Sequence, residues 1–202
     1  MPDRVVVFID AQNVYRGARN AFFGDKGLHP LGQIDPIAVA ELICGRGLAA
    51  DSRVLHEVRI YTGRPDSTRD PRAYGPHMRQ CAAWEKSGVV VVPRALRYPF
   101  DWPRQKAEEK GIDVALAVDF IAGAIEDAWD VGVIFSTDTD LRPALEYVAS
   151  KFPVRPRAEV AAWKSPVANR QLTIRGPRRI WCHFLDRSDY DSVCDERDYN
   201  QS

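Results

Sequence analysis

The sequence is poor in the residues that build zinc sites and disulfide frameworks. Only four cysteines and four histidines occur in 202 residues. No two cysteines form a C-x-x-C pair, and the histidines show no metal-ligand spacing. Because structural zinc sites and disulfide scaffolds need such clusters, we expect free thiols without chemistry. The residues are Cys44, Cys81, Cys182, Cys194, His29, His56, His77 and His183.

Long apolar runs and a secretory leader are also missing. No stretch approaches the roughly 18 uninterrupted apolar residues of a membrane span. The start, Met1-Pro2-Asp3-Arg4, leads into an apolar run without the three regions of a signal peptide. We therefore expect a soluble, cytoplasmic protein with no membrane partner. The length and the 45% hydrophobic fraction favour one α/β domain, which we place at residues 1–185, followed by an acidic tail at 186–202.

Net charge is absent as well, because 28 basic residues balance 28 acidic ones. This balance argues against a protein that coats nucleic acid nonspecifically. The distribution is uneven: eight basic residues and a single acid, Glu159, lie between Lys151 and Arg179, and the tail after residue 185 is acidic. The basic stretch predicts either a surface for a phosphate backbone or a solvated surface balanced by the tail.

Short apolar runs alternate with segments of helical character, which is typical of βαβ units and a mostly parallel sheet. Helix start and stop signals, such as Pro36 and Gly45, separate the segments. The strands are expected at residues 4–9, 57–61, 89–92, 131–135, 158–162 and 180–184, and the helices at 36–45, 74–86, 112–127 and 142–151.

Carboxylates follow two of the predicted buried strands. Asp10 directly follows the apolar run Val5-Val6-Val7-Phe8-Ile9. Asp138 and Asp140 follow the apolar run Val131-Gly132-Val133-Ile134-Phe135. Ligands bind at the carboxyl ends of parallel strands, so these acids are expected to share one crevice. Crowded carboxylates repel unless a cation lies between them, and Mg²⁺ or Mn²⁺ prefers such oxygen ligands. The pattern therefore predicts a metal-dependent phosphodiester enzyme.

Each polar residue in these two segments also has a plain structural alternative. Asp10 and Asn13 are good helix caps, and Asp140 precedes a proline that can open a helix. Residues two apart in an extended segment share a side, so Asp138 and Asp140 can both face the site. Asn13 is expected to orient water or phosphate, and Ser136 is expected to hydrogen-bond to a carboxylate or a bound water.

A third acid lies in Lys110-Gly111-Ile112-Asp113. If a helix begins near Ile112, Asp113 lies in its first turn, close to free backbone N–H groups. Lys110 is then near enough to contact a phosphate. Asp119 lies about 120° around the helix from Asp113, so it is an accessory candidate whose alternative is a polar residue satisfied by a neighbouring element.

Two irregular segments are candidates for substrate binding. Residues 16–35 have the length of a lid or an insertion. Residues 94–110 combine basic and aromatic side chains, which offer phosphate contacts, from Arg94 and Arg97 among others, and stacking faces for unpaired bases. For Phe100 and Trp102 the alternative is that the rings anchor the loop to the core.

Together, three motifs resemble the NYN domain, a branch of the PIN-like nuclease superfamily whose bacterial members are often called LabA-like. They are Phe-Ile-Asp-x-x-Asn, Lys-Gly-x-Asp-Val-x-Leu-x-x-Asp and Ser-x-Asp-x-Asp-Leu, within residues 5–184. Thr137 and Leu141 depart from the glycine and the aromatic residue common in the last motif. The resemblance implies a Rossmann-like three-layer α/β/α sandwich and ribonuclease activity with Mg²⁺ or Mn²⁺. It implies an acidic cluster of Asp10, Asp113 and Asp138, accompanied by Asn13, Asp119 and Asp140.

The predicted function is hydrolysis of RNA with an aspartate-bound ion that activates water. Two alternatives remain. An aspartate-dependent phosphatase would use Asp138 and Asp140, although that motif normally lies on the first strand of its family. A non-catalytic RNA-binding module on the same fold is the other. Trp181 and Phe184 are candidates for contacts in a homo-oligomer.

Overall fold

Six parallel strands form one sheet. The structure is a computed structural model that describes residues 1–24, 30–46, 52–176 and 178–201. The strands are β1 (Asp3–Asp10), β2 (Arg53–Arg64), β3 (Val90–Ala95), β4 (Val131–Phe135), β5 (Arg157–Trp163) and β6 (Trp181–Leu185). The helices are α1 (Ala11–Phe22), α2 (Pro36–Gly45), α3 (Pro71–Lys86), α4 (Ile112–Ile125), α5 (Arg142–Lys151) and α6 (Arg187–Val193).

Alternate side chains of β1 enter two separate hydrophobic cores. Val5, Val7 and Ile9 pack with residues of α1, α2, α3 and α6 on one face of the sheet. Val6 and Phe8 pack with residues of α4 and α5 on the other face. Since helices cover both faces, the strand is apolar at every inner position, which explains its continuous run of valines. The α/β fold class predicted from the sequence, a Rossmann-like and PIN-like sandwich, is confirmed.

The strand order places β1 beside β4 in the middle of the sheet, with register Val5 to Val131 through Ile9 to Phe135. The chain moves outward from β1 to β2 and β3 on one side, and from β4 to β5 and β6 on the other. The connections therefore diverge at the carboxyl ends of β1 and β4, where a crevice opens. Asp10 and Ser136 stand at this point.

The sequence patterns identify the strands and four helices but miss two further helices. Three elements have the predicted bounds: β4 at 131–135, α2 at 36–45 and α5 at 142–151. The other predicted elements differ at their ends by a few residues. Residues 16–22, expected to be irregular, belong to α1. Part of the expected lid, residues 25–29, lies outside the described residues. In the described ranges, no helix combines the length and the apolar character that a bilayer crossing requires.

The expected acidic tail is packed onto the domain. Tyr190 and Val193 of α6 are buried in the same core as α1 and α2. Asp189 accepts two hydrogen bonds of 2.5 Å from Arg46, and Asp195 pairs with Arg197. Both acids therefore pair with basic residues outside the stretch at residues 151–179.

Part of that basic stretch lies at the opposite end of the sheet. Arg155 and Arg157 each contact the buried carboxylate of Asp3 at 2.6 Å. Asp3 begins β1, whereas the crevice lies where β1 ends at Asp10. These two arginines therefore stabilise the far end of the sheet and are not available as phosphate ligands at the crevice.

Candidate functional site

Asp10 is the last residue of β1 and the N-cap of α1. Its Oδ1 accepts the backbone N–H of Asn13 at 3.1 Å, and its Oδ2 accepts the hydroxyl of Ser136 at 3.2 Å. The residue is 8% exposed. The capping role and the expected place at the crevice are thus combined in one residue, because the strand passes directly into the helix.

Ser136 connects the two strand ends. Its hydroxyl donates to Asp10 and accepts the backbone N–H of Asp138 at 3.1 Å. Since Ser136 is only 1% exposed, it lies beneath the crevice and holds Asp10 in position. The predicted hydrogen bond to a carboxylate is present. Ser136 is also a candidate for substrate binding, which stays a prediction.

Asn13 fixes the loop that follows β4. Its Oδ1 accepts the backbone N–H of Thr137 at 3.0 Å and the Thr137 hydroxyl at 3.2 Å. Asn13 therefore joins the first turn of α1 to the segment that carries Asp138. The side chain also lines the crevice, which leaves its amide nitrogen as the group able to face a substrate.

Asp138 caps a single 3-10 turn, Thr139–Leu141, that precedes α5. Its Oδ1 accepts the backbone N–H of Asp140 at 3.0 Å. This arrangement corrects two expectations for Asp140. Leu141, not Asp140, is the N-cap of α5, and Asp140 is exposed outside the lining of the crevice.

Glu109 is an acid of the site that the sequence patterns missed. It precedes α4, and its Oε1 accepts the backbone N–H of Gly63 at 3.0 Å. A Cβ on Gly63 would lie 2.6 Å from that oxygen, so only glycine lets the carboxylate approach the end of β2. The signal in the sequence was an acid just before the helix that carries Asp113.

The crevice, here called the acid cleft, has a volume of about 380 Å³. Its polar floor joins the N-terminal half of α1 to the ends of β1 and β4. Arg16 is the one basic residue in its described lining. The lining consists of Asp10, Gln12, Asn13, Arg16, Gly17, Asn20, Glu109, Thr137 and Asp138.

The electrostatics of the cleft are those of crowded carboxylates. Burial raises the pKa of Asp10, although its two hydrogen bonds oppose the rise. The charges of Asp138 and Asp113 raise the pKa further. Burial likewise raises the pKa of Glu109, and the charge of Asp10 adds to the effect, while Arg16 opposes it. A positive ion in the cleft would relieve this repulsion.

Asp113 lies in the first turn of α4, as the sequence predicts, after Gly111 in the left-handed conformation with φ of 75°. Its charge acts on Asp10, but Asp113 is not part of the lining of the acid cleft. Lys110 is exposed beside Glu109. Asp113 and Lys110 therefore flank the cleft.

Arg94 is exposed near the end of β3, and Arg97 is exposed on the segment between β3 and α4. Arg97 and Glu108 exchange two backbone hydrogen bonds of 2.8 and 2.9 Å, so the segment returns on itself and delivers Glu109 to the cleft. The ring of Trp102 packs edge-on against Tyr98 of the same segment, and its Nε1 donates to the backbone carbonyl of Arg69 at 3.3 Å. Phe100 is fully exposed, so its ring does not anchor the loop to the core.

Asp119 does not belong to the acid cleft, which corrects its accessory assignment. The Tyr61 hydroxyl donates to its Oδ2 at 2.8 Å, and Arg59 lies 3.4 Å from the same oxygen. Asp119 lines a different cavity, together with Trp129. Asp119 lies nearly two turns along α4 from Asp113 and is satisfied by residues of β2, which is the structural alternative named in the sequence analysis.

A divalent metal ion fits the donors of the cleft only in a hydrated form. Within residues 1–24, 30–46, 52–176 and 178–201, no three or more His, Cys, Asp or Glu side chains form a group that could hold a metal. Mg²⁺, however, usually keeps several waters and binds through one or two carboxylates and substrate phosphates. Asp10 and Asp138 in one cleft supply such a pair, so the donors suit a hydrated ion and not a closed three-carboxylate cage.

Comparisons with known proteins place the chain in a family. A sequence model of the NYN domain matches residues 4–154. The crystal structure of a protein of unknown function from Vibrio parahaemolyticus is similar, with 16% identity, a TM-score of 0.51, and coverage of 83% of this chain and 85% of that chain. That similarity concerns the fold alone. No curated protein matches.

Proposed function

The chain belongs to the NYN domain family, whose members are nuclease-like, and from this premise we propose that it is a divalent-metal-dependent ribonuclease. One observation carries the proposal: Asp10, Asp138 and Glu109 line a single cleft at the carboxyl ends of the central strands. Mutual repulsion among these carboxylates favours a bound cation. RNA is the proposed partner and the cytoplasm the proposed location.

Asp10 and Asp138 are the proposed protein ligands of Mg²⁺ or Mn²⁺, and Asp113 is proposed to act through water. A divalent ion bound there would lower the pKa of a water and offset charge on the scissile phosphate. Ser136 and Asn13 hold the two carboxylate segments in register through their hydrogen bonds. Glu109 is close enough to Asp10 for their charges to interact, and it can accept a proton from water.

The substrate path is proposed to run along α1. The acid cleft adjoins a wider cavity of about 600 Å³, which shares the lining residues Asn13, Gly17, Asn20 and Thr137 and is also lined by Arg170. Arg16 in the cleft, and Lys110, Arg94 and Arg97 beside it, offer cations for phosphates on the other side. A groove this long suits a single strand of several nucleotides.

A non-catalytic RNA-binding protein is the second candidate, and one observation favours it. The described residues contain no ready-made group of three metal ligands, so an ion would depend on waters and on substrate. In that case RNA would bind without cleavage. A homo-oligomer through Trp181 and Phe184, both exposed on the edge strand β6, stays a prediction.

Incubation of the purified protein with labelled structured and unstructured RNAs tests the proposal. Parallel reactions contain Mg²⁺, Mn²⁺ or EDTA, and Asp138→Asn serves as the inactive control. Cleavage that requires the ion and is lost in Asp138→Asn supports a metal-dependent ribonuclease. Retention of intact RNA at every ion concentration, with clear binding, supports the second candidate instead.

A further inference from the structure

A second cavity adjoins the acid cleft on the side of β2. It lies between α1, α3 and the ends of β1 and β2, and its volume is about 210 Å³. Gln12 and Glu109 line both this cavity and the acid cleft. A group seated here is therefore directly beside the proposed site of phosphodiester cleavage.

Much of the wall of this cavity is apolar, although the indole Nε1 of Trp84 is a buried donor with no hydrogen-bond partner among the described residues. Ile9, Ile34 and Ile60 are each at most 6% exposed, and Trp84 is 5% exposed. Ligand sites are typically of this kind, with an apolar surface and a few placed polar groups. A planar heterocycle packs well on such side chains, as unpaired bases do in RNA-binding proteins.

The orientation of one amide in the cavity is fixed by the C-terminal segment. Nε2 of Gln33 donates to the backbone carbonyl of Arg197 at 3.0 Å, so Oε1 of Gln33 is an acceptor. Nε2 of Gln80 donates to that oxygen at 3.0 Å. Gln80 is thereby left with its Oε1, an acceptor, and with the second N–H of its Nε2, a donor, to offer to a ligand in the cavity.

Two further polar groups line the cavity. Oε1 of Glu109 is used by Gly63, which leaves Oε2 as an acceptor. The hydroxyl of Thr62 is a further polar group of the lining. The acceptors from Gln80 and Glu109 match the exocyclic amino group of cytosine, adenine or guanine. Uracil presents carbonyl oxygens at the corresponding positions.

We propose that this cavity binds one nucleobase of the RNA, next to the scissile phosphate, and prefers a base with an exocyclic amino group. The inference deepens the proposed ribonuclease function and rests on it, since the adjoining phosphate lies in the acid cleft. Base selection by polar groups at the rim of an apolar pocket is the means by which single-stranded RNA is commonly read.

Calorimetric binding of CMP and UMP in EDTA tests the inference without requiring cleavage. The two nucleotides differ at the amino group, and CMP is expected to bind about 5-fold to 10-fold more tightly. Gln80→Met removes the acceptor at similar size and is expected to bring the ratio below about twofold. Thr62→Val, which keeps the shape of the side chain, is expected to weaken both nucleotides. Gln171→Met, an exposed glutamine elsewhere, is the matched control.

The outcomes separate this inference from the nuclease proposal. A CMP preference that Gln80→Met abolishes supports the base site even if RNA is not cleaved, in which case the nuclease proposal alone fails. Ion-dependent cleavage with equal binding of CMP and UMP overturns the base site alone. The base site is also overturned if neither nucleotide binds at millimolar concentration. A CMP preference that survives in Gln80→Met overturns it as well. If Gln80→Met is unfolded, unchanged affinities in Thr62→Val overturn the inference.

Discussion

The hydroxyl of Ser136 donates to Oδ2 of Asp10 at 3.2 Å and so ties the end of β4 to the end of β1. The same hydroxyl oxygen accepts the backbone N–H of Asp138 at 3.1 Å. One buried atom therefore sets the relative positions of the two carboxylates that we propose as metal ligands. Hydrogen-bond partners of metal-binding side chains orient these side chains and tune the affinity of the site for the metal.

Ser136→Ala is expected to lower both cleavage and Mn²⁺ affinity by about 10-fold to 100-fold. The free energy of unfolding should fall by about 1–3 kcal/mol, because Asp10 and the backbone of Asp138 lose a partner. Metal titration, RNA cleavage and urea unfolding measure the three effects. Ser150→Ala, which removes an exposed hydroxyl from α5, is the control. Equal metal affinity in the two variants would refute the positioning role.

Acid is expected to destabilise the protein partly through Glu159. Burial alone would raise its pKa, but the hydrogen bonds from His183 and Arg53 outweigh it and lower the pKa from 4.5 to about 2. Its stabilising contribution is therefore present above pH 4.5 and is lost as the pH falls towards 2. Urea midpoints should fall less between pH 4.5 and about pH 2 for Glu159→Gln than for the exposed control Glu126→Gln. Identical pH profiles would contradict this assignment.

Replacement of Arg94, Arg97 and Lys110 by glutamine is expected to raise KM with little change in kcat. The slope of log KM against log salt should fall by about 0.7 for each phosphate of a single strand that these side chains no longer neutralise. Salt series with a labelled RNA measure the slope. The control replaces Lys151, Arg175 and Arg179, which lie in the basic stretch. If the slope falls only in the control variant, the RNA binds the basic stretch and not Arg94, Arg97 and Lys110.

Gly132→Ala is expected to destabilise the fold beneath the site. A Cβ on this residue of β4 would lie 2.7 Å from the rings of Phe120 and Trp129. Overpacking of this kind costs about 1–3 kcal/mol. Chemical denaturation measures the change, with Gly45→Ala as a control whose added methyl meets no atom within 4 Å. A stability like that of wild type would show that the aromatic cluster can move aside.

The central sheet and its acids could be predicted because their signals are local. Buried parallel strands read as continuous apolar runs, and Asp10 and Asp138 follow two of them closely. Helix α1 was missed although Val14, Ala18 and Ala21 form an apolar stripe at helical spacing. Two of these residues are small, and Gly17 lies between Val14 and Ala18, so the stripe is a weak signal in the sequence.

The remaining parts of the site depend on residues distant in sequence. Glu109 reaches the cleft through a hydrogen bond to Gly63, 46 residues earlier, which no periodicity reveals. Asp119 was an accessory candidate in the motif, and only the position of Tyr61 on β2 shows that its carboxylate is used elsewhere. Tertiary packing decided which acids share the cleft.

The measurement that tests the central claim most directly compares RNA cleavage by wild type and Asp10→Asn over a Mn²⁺ titration. Asparagine is as good a helix cap as aspartate, so Asp10→Asn should fold normally. Asp35→Asn, which alters the N-cap of α2, is the matched control. We predict ion-dependent cleavage by wild type and by the control. The cleavage rate of Asp10→Asn should fall by more than about 100-fold, because removal of a metal ligand should cost more than removal of a ligand's hydrogen-bond partner, which costs up to about 100-fold. Wild-type rates for Asp10→Asn in a clean preparation would contradict the account.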